Sequence, residues 1–202
     1  PYYYGLSRLA LLASSNIDQF LWLAGDLFEE CASAALLRQP THLTPESQER
    51  ILARAIARVW RELPQRVPYG TLTMRFLESI GALSTSETVK PNAPYAPGVT
   101  GVAVLMDDRE RIRKAMRESS DERLRLLGEV VASCISHNLL EVHLNQKCKG
   151  RYWMVLYLNR MLCVHFGLPL QYGGWRERGL QDLAQWLETS PSSFASQTEL
   201  FT

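Results

Sequence analysis

The sequence lacks a phosphate-binding loop. Neither G-x-x-x-x-G-K-[ST] nor G-x-G-x-x-G occurs, so no glycine-rich cradle for a nucleotide is written within the chain. G-x-S-x-G is missing too, which removes the nucleophile elbow of the α/β-hydrolases. The histidines His42, His137, His143 and His165 lie on separate elements, and nothing in the spacing assembles a catalytic triad. Cysteine is scarce: Cys31, Cys134, Cys148 and Cys163 form no C-x-x-C pair. Scattered thiols in a chain of 202 residues argue for reduced cysteines rather than a disulfide framework. No run approaches the roughly 18–20 apolar residues of a membrane span, and no basic leader precedes the first apolar run. A soluble, cytoplasmic protein is therefore expected. A dominant charge is lacking as well. The 22 Lys and Arg stand against 21 Asp and Glu, for a net charge of +1. Binding to a polyanion would have to come from a local patch. There is no internal repeat and no low-complexity block.

What is present is ordinary globular composition, 46% hydrophobic and 21% charged, with helical patterning dominant in the first third. The chain opens on Pro1 rather than Met, so a longer parent protein is expected. Ile17, Phe20, Leu21, Ala24, Leu27, Phe28 and Cys31 recur at helical spacing, and Ser15 or Asn16 is the natural N-cap before them. "THLTPESQERILARAIARVWRELPQR", residues 41–66, is the clearest helix. Thr44 caps it and Pro45 suits its first position. Leu52, Ile56, Val59, Trp60 and Leu63 form its buried stripe, and Pro64 and Pro68 are expected to end it. Residues 71–83 predict a shorter helix, and "STSETVKPNAPYAPGVTG" a loop.

Beyond that loop, "VTGVAVLMDD" reads as a strand and "RERIRKAMRESS" as a basic helical segment. Ser119 and Glu122 have capping-box spacing ahead of a helix bearing Leu124, Leu127, Val131 and Cys134. "LLEVHLN" and "RYWMVLYLN" alternate as strands do, and "QKCKG" joins them as a hairpin with Gly150 at the turn. "RMLCVHFG" predicts a short helix closed by Gly167. "LPLQYGGWRERG" predicts a loop in which Gly173-Gly174 turns the chain, and "LQDLAQWLE" a last amphipathic helix. The expected fold is mostly α with a small β-hairpin or three-stranded sheet, the third strand lying near Val102. The expected division is a helical, lid-like part at 1–66, a winged-helix-like part at 67–188 and a flexible tail at 189–202.

The best local candidate for function is the hairpin turn. Lys147, Lys149 and Arg151 crowd it, with Tyr152 and Trp153 beside them. Cations at a projecting tip reach phosphates cheaply, and an aromatic neighbour can stack on a base or sugar. The competing reading is a solvated turn that carries charge for solubility. Arg109, Arg111, Arg113, Lys114 and Arg117 make a second basic stretch. Asp107, Asp108, Glu110 and Glu118 interleave with it, as on an exposed helix with local ion pairs. Cys134, His137, His143 and Cys148 have suitable chemistry for zinc but no zinc spacing, so no metal is expected.

This organisation resembles the C-terminal part of AAA+ ATPases of the origin-recognition-complex type, including bacterial relatives. "LASSNIDQFLWLAGDLFEECASAALLRQPTHLTPESQERILARA" looks like the lid that follows such an ATPase core, and Val67 to Glu188 like the winged-helix domain after it. "YLNRMLCVHFGLPL" resembles the end of the hairpin and the next helix. The resemblance implies a non-catalytic module that binds DNA or a protein partner, or the ATPase core of its parent, with ATP held outside these residues. Lys147, Lys149, Arg151 and Tyr152 would be its nucleic-acid contacts. One position departs from the pattern. Asp18 stands where the family's lid carries an arginine that senses the γ-phosphate, and a carboxylate there would repel phosphate. The alternative is a protein-interaction or oligomerisation domain without a nucleic-acid role, its five tryptophans, Trp22, Trp60, Trp153, Trp175 and Trp186, serving core and interface.

Overall fold

A computed structural model describes residues 3–91 and 98–189. Four helices come first: α1 (Leu6–Leu12), α2 (Ile17–Leu36), α3 (Pro45–Arg66) and α4 (Gly70–Thr88). Strand β1 (Val99–Leu105) leads into α5 (Met106–Glu118) and α6 (Glu122–Ser136). The hairpin β2 (Leu140–Cys148) and β3 (Arg151–Leu158) follows. Helix α7 (Arg160–His165), strand β4 (Gly174–Glu177) and α8 (Leu180–Glu188) complete the described chain. The fold is mostly helical with a small sheet, consistent with helices followed by a winged-helix-like arrangement. The expected tail, except Thr189, lies outside the described residues.

Short polar side chains set the helix starts. Asn16 accepts from Gln19 N at 3.0 Å and Thr44 from Ser47 N at 3.2 Å, each satisfying a donor that the helix itself leaves open. The cap of α6 is Asp121, which accepts from Leu124 N at 3.1 Å. Ser119 instead ends α5 in the left-handed region, with φ 51°, so the expected Ser119–Glu122 capping box does not form. Two boundaries also moved outward. Helix α3 runs through Pro64 to Arg66, because proline's φ suits a helix and its missing donor costs one bond only two residues from the end. Helix α4 runs on from residue 83 to Thr88. Its small polar residues there are anchored by tertiary bonds. Thr85 Oγ1 donates to Phe166 O, and Thr88 Oγ1 both donates to Val99 O and accepts from Val99 N.

The sheet has four strands in the order β2-β3-β1-β4. β1 pairs antiparallel with β3, as expected for a strand near Val102, and Val102 stands opposite Leu156. The fourth strand was not expected. β4 pairs parallel with β1 inside the segment read as a loop. Gly173 and Gly174 make a backbone approach there rather than a turn. A Cβ on Gly173 would sit 1.9 Å from the carbonyl oxygen of Gly98, and Gly174 N donates to that oxygen at 2.6 Å. Only glycine fits so close a crossing.

One sheet face, with Val102, Val104, Met154, Leu156 and Leu158, packs on α4, α5 and α6 to make the main core, and α8 closes it against α4 and α6. A second core joins Leu9, Leu12, Leu23, Leu52 and Ile56 of α1–α3 to Met161 and Leu170. Helix α7 straddles the two, since Leu162 and Cys163 belong to the main core and Met161 to the second. A buried amide cluster sits at this junction. Gln19 Nε2 donates to Leu12 O at 2.7 Å and to Asn159 Oδ1 at 3.2 Å. Gln19 Oε1 accepts from Asn138 Nδ2 at 3.0 Å, and Asn159 Oδ1 accepts from Met161 N at 2.9 Å.

The α3–α4 corner depends on one glycine. A Cβ on Gly70 would lie 2.0 Å from the Pro64 carbonyl oxygen, which is rigid backbone. Gly70→Ala is expected to destabilise the protein by about 1–3 kcal/mol, the range for overpacking that forces backbone to shift. Urea unfolding of the two proteins side by side checks this.

Candidate nucleic-acid interface

The hairpin turn is only two residues long. Lys149 and Gly150 both have positive φ, 48° and 75°, as a primed turn requires. Strand β2 therefore extends to Cys148, deeper into the expected connection, and Cys148 pairs with Arg151 while Lys147 pairs with Tyr152. Neighbouring residues on a strand point to opposite faces. Lys147 and Tyr152 share one face of the ribbon, Cys148 and Arg151 the other, and Lys149 occupies the tip. The four sequence candidates thus share the tip but not one surface. Tyr152 is 52% exposed and Lys147, Lys149 and Arg151 are exposed, so each side chain is free to reach a ligand.

Ion pairing separates this tip from the other basic stretch. On α5, Arg111 pairs with Asp108 at 3.0 Å, Arg113 with Glu110 at 3.2 Å and Lys114 with Glu118 at 3.8 Å. Arg109 pairs with Glu110 at 2.6 Å. Four of the five cations of that stretch are thus paired, as the interleaved charges predict, and Arg117 is the exception among them. Among the described residues, Lys147, Lys149 and Arg151 form no ion pair.

The sequence reading missed the other wall of the site. An open groove of about 740 Å³ runs from the hairpin tip to β4 and is lined by Lys147, Cys148, Lys149, Tyr172, Trp175 and Arg178 among others. It lies on the sheet face turned away from the main core. There Trp153, Val155, Tyr157 and Ala103 form a small cluster with Tyr172 and Trp175 packed on it. Trp153 backs the groove: its ring is 5.4 Å from that of Trp175, and its Nε1 donates to Cys148 O at 3.3 Å. Alternation of Trp175 and Glu177 in "GGWRERG" was the available signal, but four residues between glycines are too few to read as a strand.

Charged side chains hold β4 in place. Arg176 Nε donates to Glu87 at 2.5 Å, tying β4 to α4. Glu87 also pairs with Lys90, and this bond first, with Arg176, holds the carboxyl below its ordinary range despite partial burial. At the far side of the sheet, Tyr172 donates to Glu141 at 2.6 Å and His143 bonds the same carboxylate at 2.8 Å. Burial pushes the Glu141 carboxyl up, but the bonds from His143 and Tyr172 outweigh it and the net shift is downward. Cys134 and Cys163 are buried, and burial pushes each thiol up to about 12. Of the four residues weighed for zinc, Cys134 lies in α6 and His137 is its C-cap, while His143 and Cys148 lie in β2. Among the described residues no three His, Cys, Asp or Glu side chains gather to hold a metal ion. Asp18 lies in the first turn of α2, where a carboxylate favours the positive end of the helix dipole.

A model of the family described as ORC-CDC6-like matches residues 1–175. No curated protein and no solved structure matches the chain. No helix among the described residues is long and apolar enough to cross a membrane.

Because the folded carboxyl of Glu87 is lowered from 4.5, its contribution is present above that value and lost as pH falls through the folded value. Glu87→Gln is expected to flatten part of the loss of stability below about pH 4.5, read as unfolding midpoints across a pH series.

Proposed function

The chain belongs to the ORC-CDC6-like family, and from that premise we propose that it is a non-catalytic module of a switch ATPase that binds DNA through a winged-helix domain. The observation that carries this reading is the contrast in ion pairing among the described residues: all three hairpin-tip cations are without acidic partners, while four of the five α5 cations are paired. The order α4-β1-α5-α6-β2-β3 supports it, with α6 in the place of a recognition helix and the hairpin as the wing. Helix α6 offers little free charge. Arg125 is held by Glu122 and by Glu129 at 2.6 Å, and Arg123 by Glu188 at 3.0 Å. Contact with phosphates through the wing, rather than base readout by the helix, is what such a distribution favours. Nucleotide binding and hydrolysis belong to the core of the parent protein. The module follows its state by moving as a body.

A second reading has its own observation. Ile17, Leu21 and Phe28 form an exposed apolar stripe along α2, each at least 60% exposed. It suits a protein partner or the parent's ATPase core.

The test is duplex DNA binding across a salt series. The triple variant Lys147→Ala, Lys149→Ala, Arg151→Ala is expected to bind roughly 10- to 100-fold more weakly at low salt. The slope of log affinity against log salt should fall by about 3, one unit per lost phosphate contact. If affinity is absent at low salt, or is unchanged in the variant, the wing is not the DNA contact. A stable oligomer whose assembly ignores these cations would favour the second reading.

A further inference from the structure

The groove beside the wing has features that duplex phosphate contact does not use. Lys147, Lys149, Arg176 and Arg178 line it against a single carboxylate, Glu177. Arg176 is committed to Glu87, whereas Lys147, Lys149 and Arg178 form no ion pair among the described residues. Between these cations stands an aromatic ring. Tyr172 is already engaged: Tyr157 stacks on it at 4.8 Å, and the Arg160 guanidinium lies 4.1 Å from its centroid. Among the described residues Trp175 has a ring contact with Trp153 alone, tilted 44° to it, and it remains half-buried at the groove wall. Trp153 is 4% exposed and fixes Trp175 from behind, so the exposed ring is held in place before any ligand arrives.

We infer that this groove takes an unpaired stretch of a nucleic-acid strand, with a base stacked on Trp175 and the flanking phosphates on Lys149 and Arg178. The inference rests on the nucleic-acid reading above and names the form of the ligand. In a duplex each base face is covered by its neighbours, so a ring set in a groove has nothing to stack on. A single strand offers bases and phosphates together, and pairs of aromatic and cationic groups are how such strands are held without sequence preference. The wing and the groove share Lys149 at the tip, so a duplex on the tip and a single strand in the groove compete for that cation.

The test uses the full 202-residue chain and four probes: oligo-dT, oligo-U and a mixed-sequence DNA duplex of equal length, and that duplex with an unpaired tail added. Tryptophan fluorescence and anisotropy are read at low salt. Oligo-dT or oligo-U is expected to bind and to quench tryptophan, and the tailed duplex to bind more tightly than the blunt one. Trp175→Leu should weaken single-strand binding roughly tenfold, while Trp175→Phe, which keeps a ring, should retain most of it. Should Trp175→Leu fail to fold, the double variant Lys149→Ala, Arg178→Ala replaces it, and it should lose single-strand affinity and salt dependence together. Arg178→Ala alone should weaken single strands and leave blunt-duplex binding as it was. If the blunt duplex binds as well as or better than the single strands and Trp175→Leu changes nothing, the inference is overturned and the wing reading stands. If no probe binds at low salt, both fall.

Discussion

The contact on which this fold turns is the buried amide cluster of Gln19, Asn138 and Asn159. Helices α1–α3 pack on the rest of the protein through Leu63 in the main core and through Met161 and Leu170 in the second. What gives that packing a single direction is a polar side chain from the first turn of α2 placed between the end of β3 and the turn after α6. Gln19 is 8% exposed and Asn159 is 2% exposed, so each amide must find its partners inside the protein. A buried amide left open costs about 1–3 kcal/mol, and that penalty makes the docked geometry specific rather than merely favourable. Apolar packing follows from it. Met161 and Leu170 enter the core of α1–α3 because the chain at Asn159 is already held there.

That junction gives the proposed switch a physical route. A change of orientation in the first helices would carry the hairpin with it, since Asn159 directly follows β3 and caps α7. At the other end of the hairpin the tip cations are exposed and, among the described residues, unpaired, while most of those on α5 and α6 are neutralised locally. A chain of near-zero net charge can still present a basic surface when acidic residues are spent elsewhere. The charge sum hides this, and the pattern of pairing reveals it.

Much of the architecture was legible because it rests on local chemistry. The stripe of α3, the caps at Asn16 and Thr44, the alternation of β2 and β3, and the strand at Val102 all read from periods and capping residues. The rest is tertiary in origin. β4 is four residues whose pairing depends on a glycine crossing at Gly98, and no local pattern announces it. The last turn of α4 looks like a loop until Thr85 and Thr88 find distant backbone partners. The candidate site was half visible. Lys147, Lys149, Arg151 and Tyr152 stood out as a cluster, but Trp175 and Arg178 join them only through the sheet. At the start of α2 the sequence pattern singles out Asp18, yet Gln19 is the residue that reaches across the molecule.

The central claim is that the Gln19–Asn159 contact makes the helices and the sheet one cooperative body. A double-mutant cycle of Gln19→Ala and Asn159→Ala, read by urea unfolding followed by fluorescence and circular dichroism, tests it most directly. The account predicts one unfolding transition shared by both signals and a coupling energy of about 1 kcal/mol or more between the two sites. Additive losses, or two separate transitions in the unaltered protein, would contradict it.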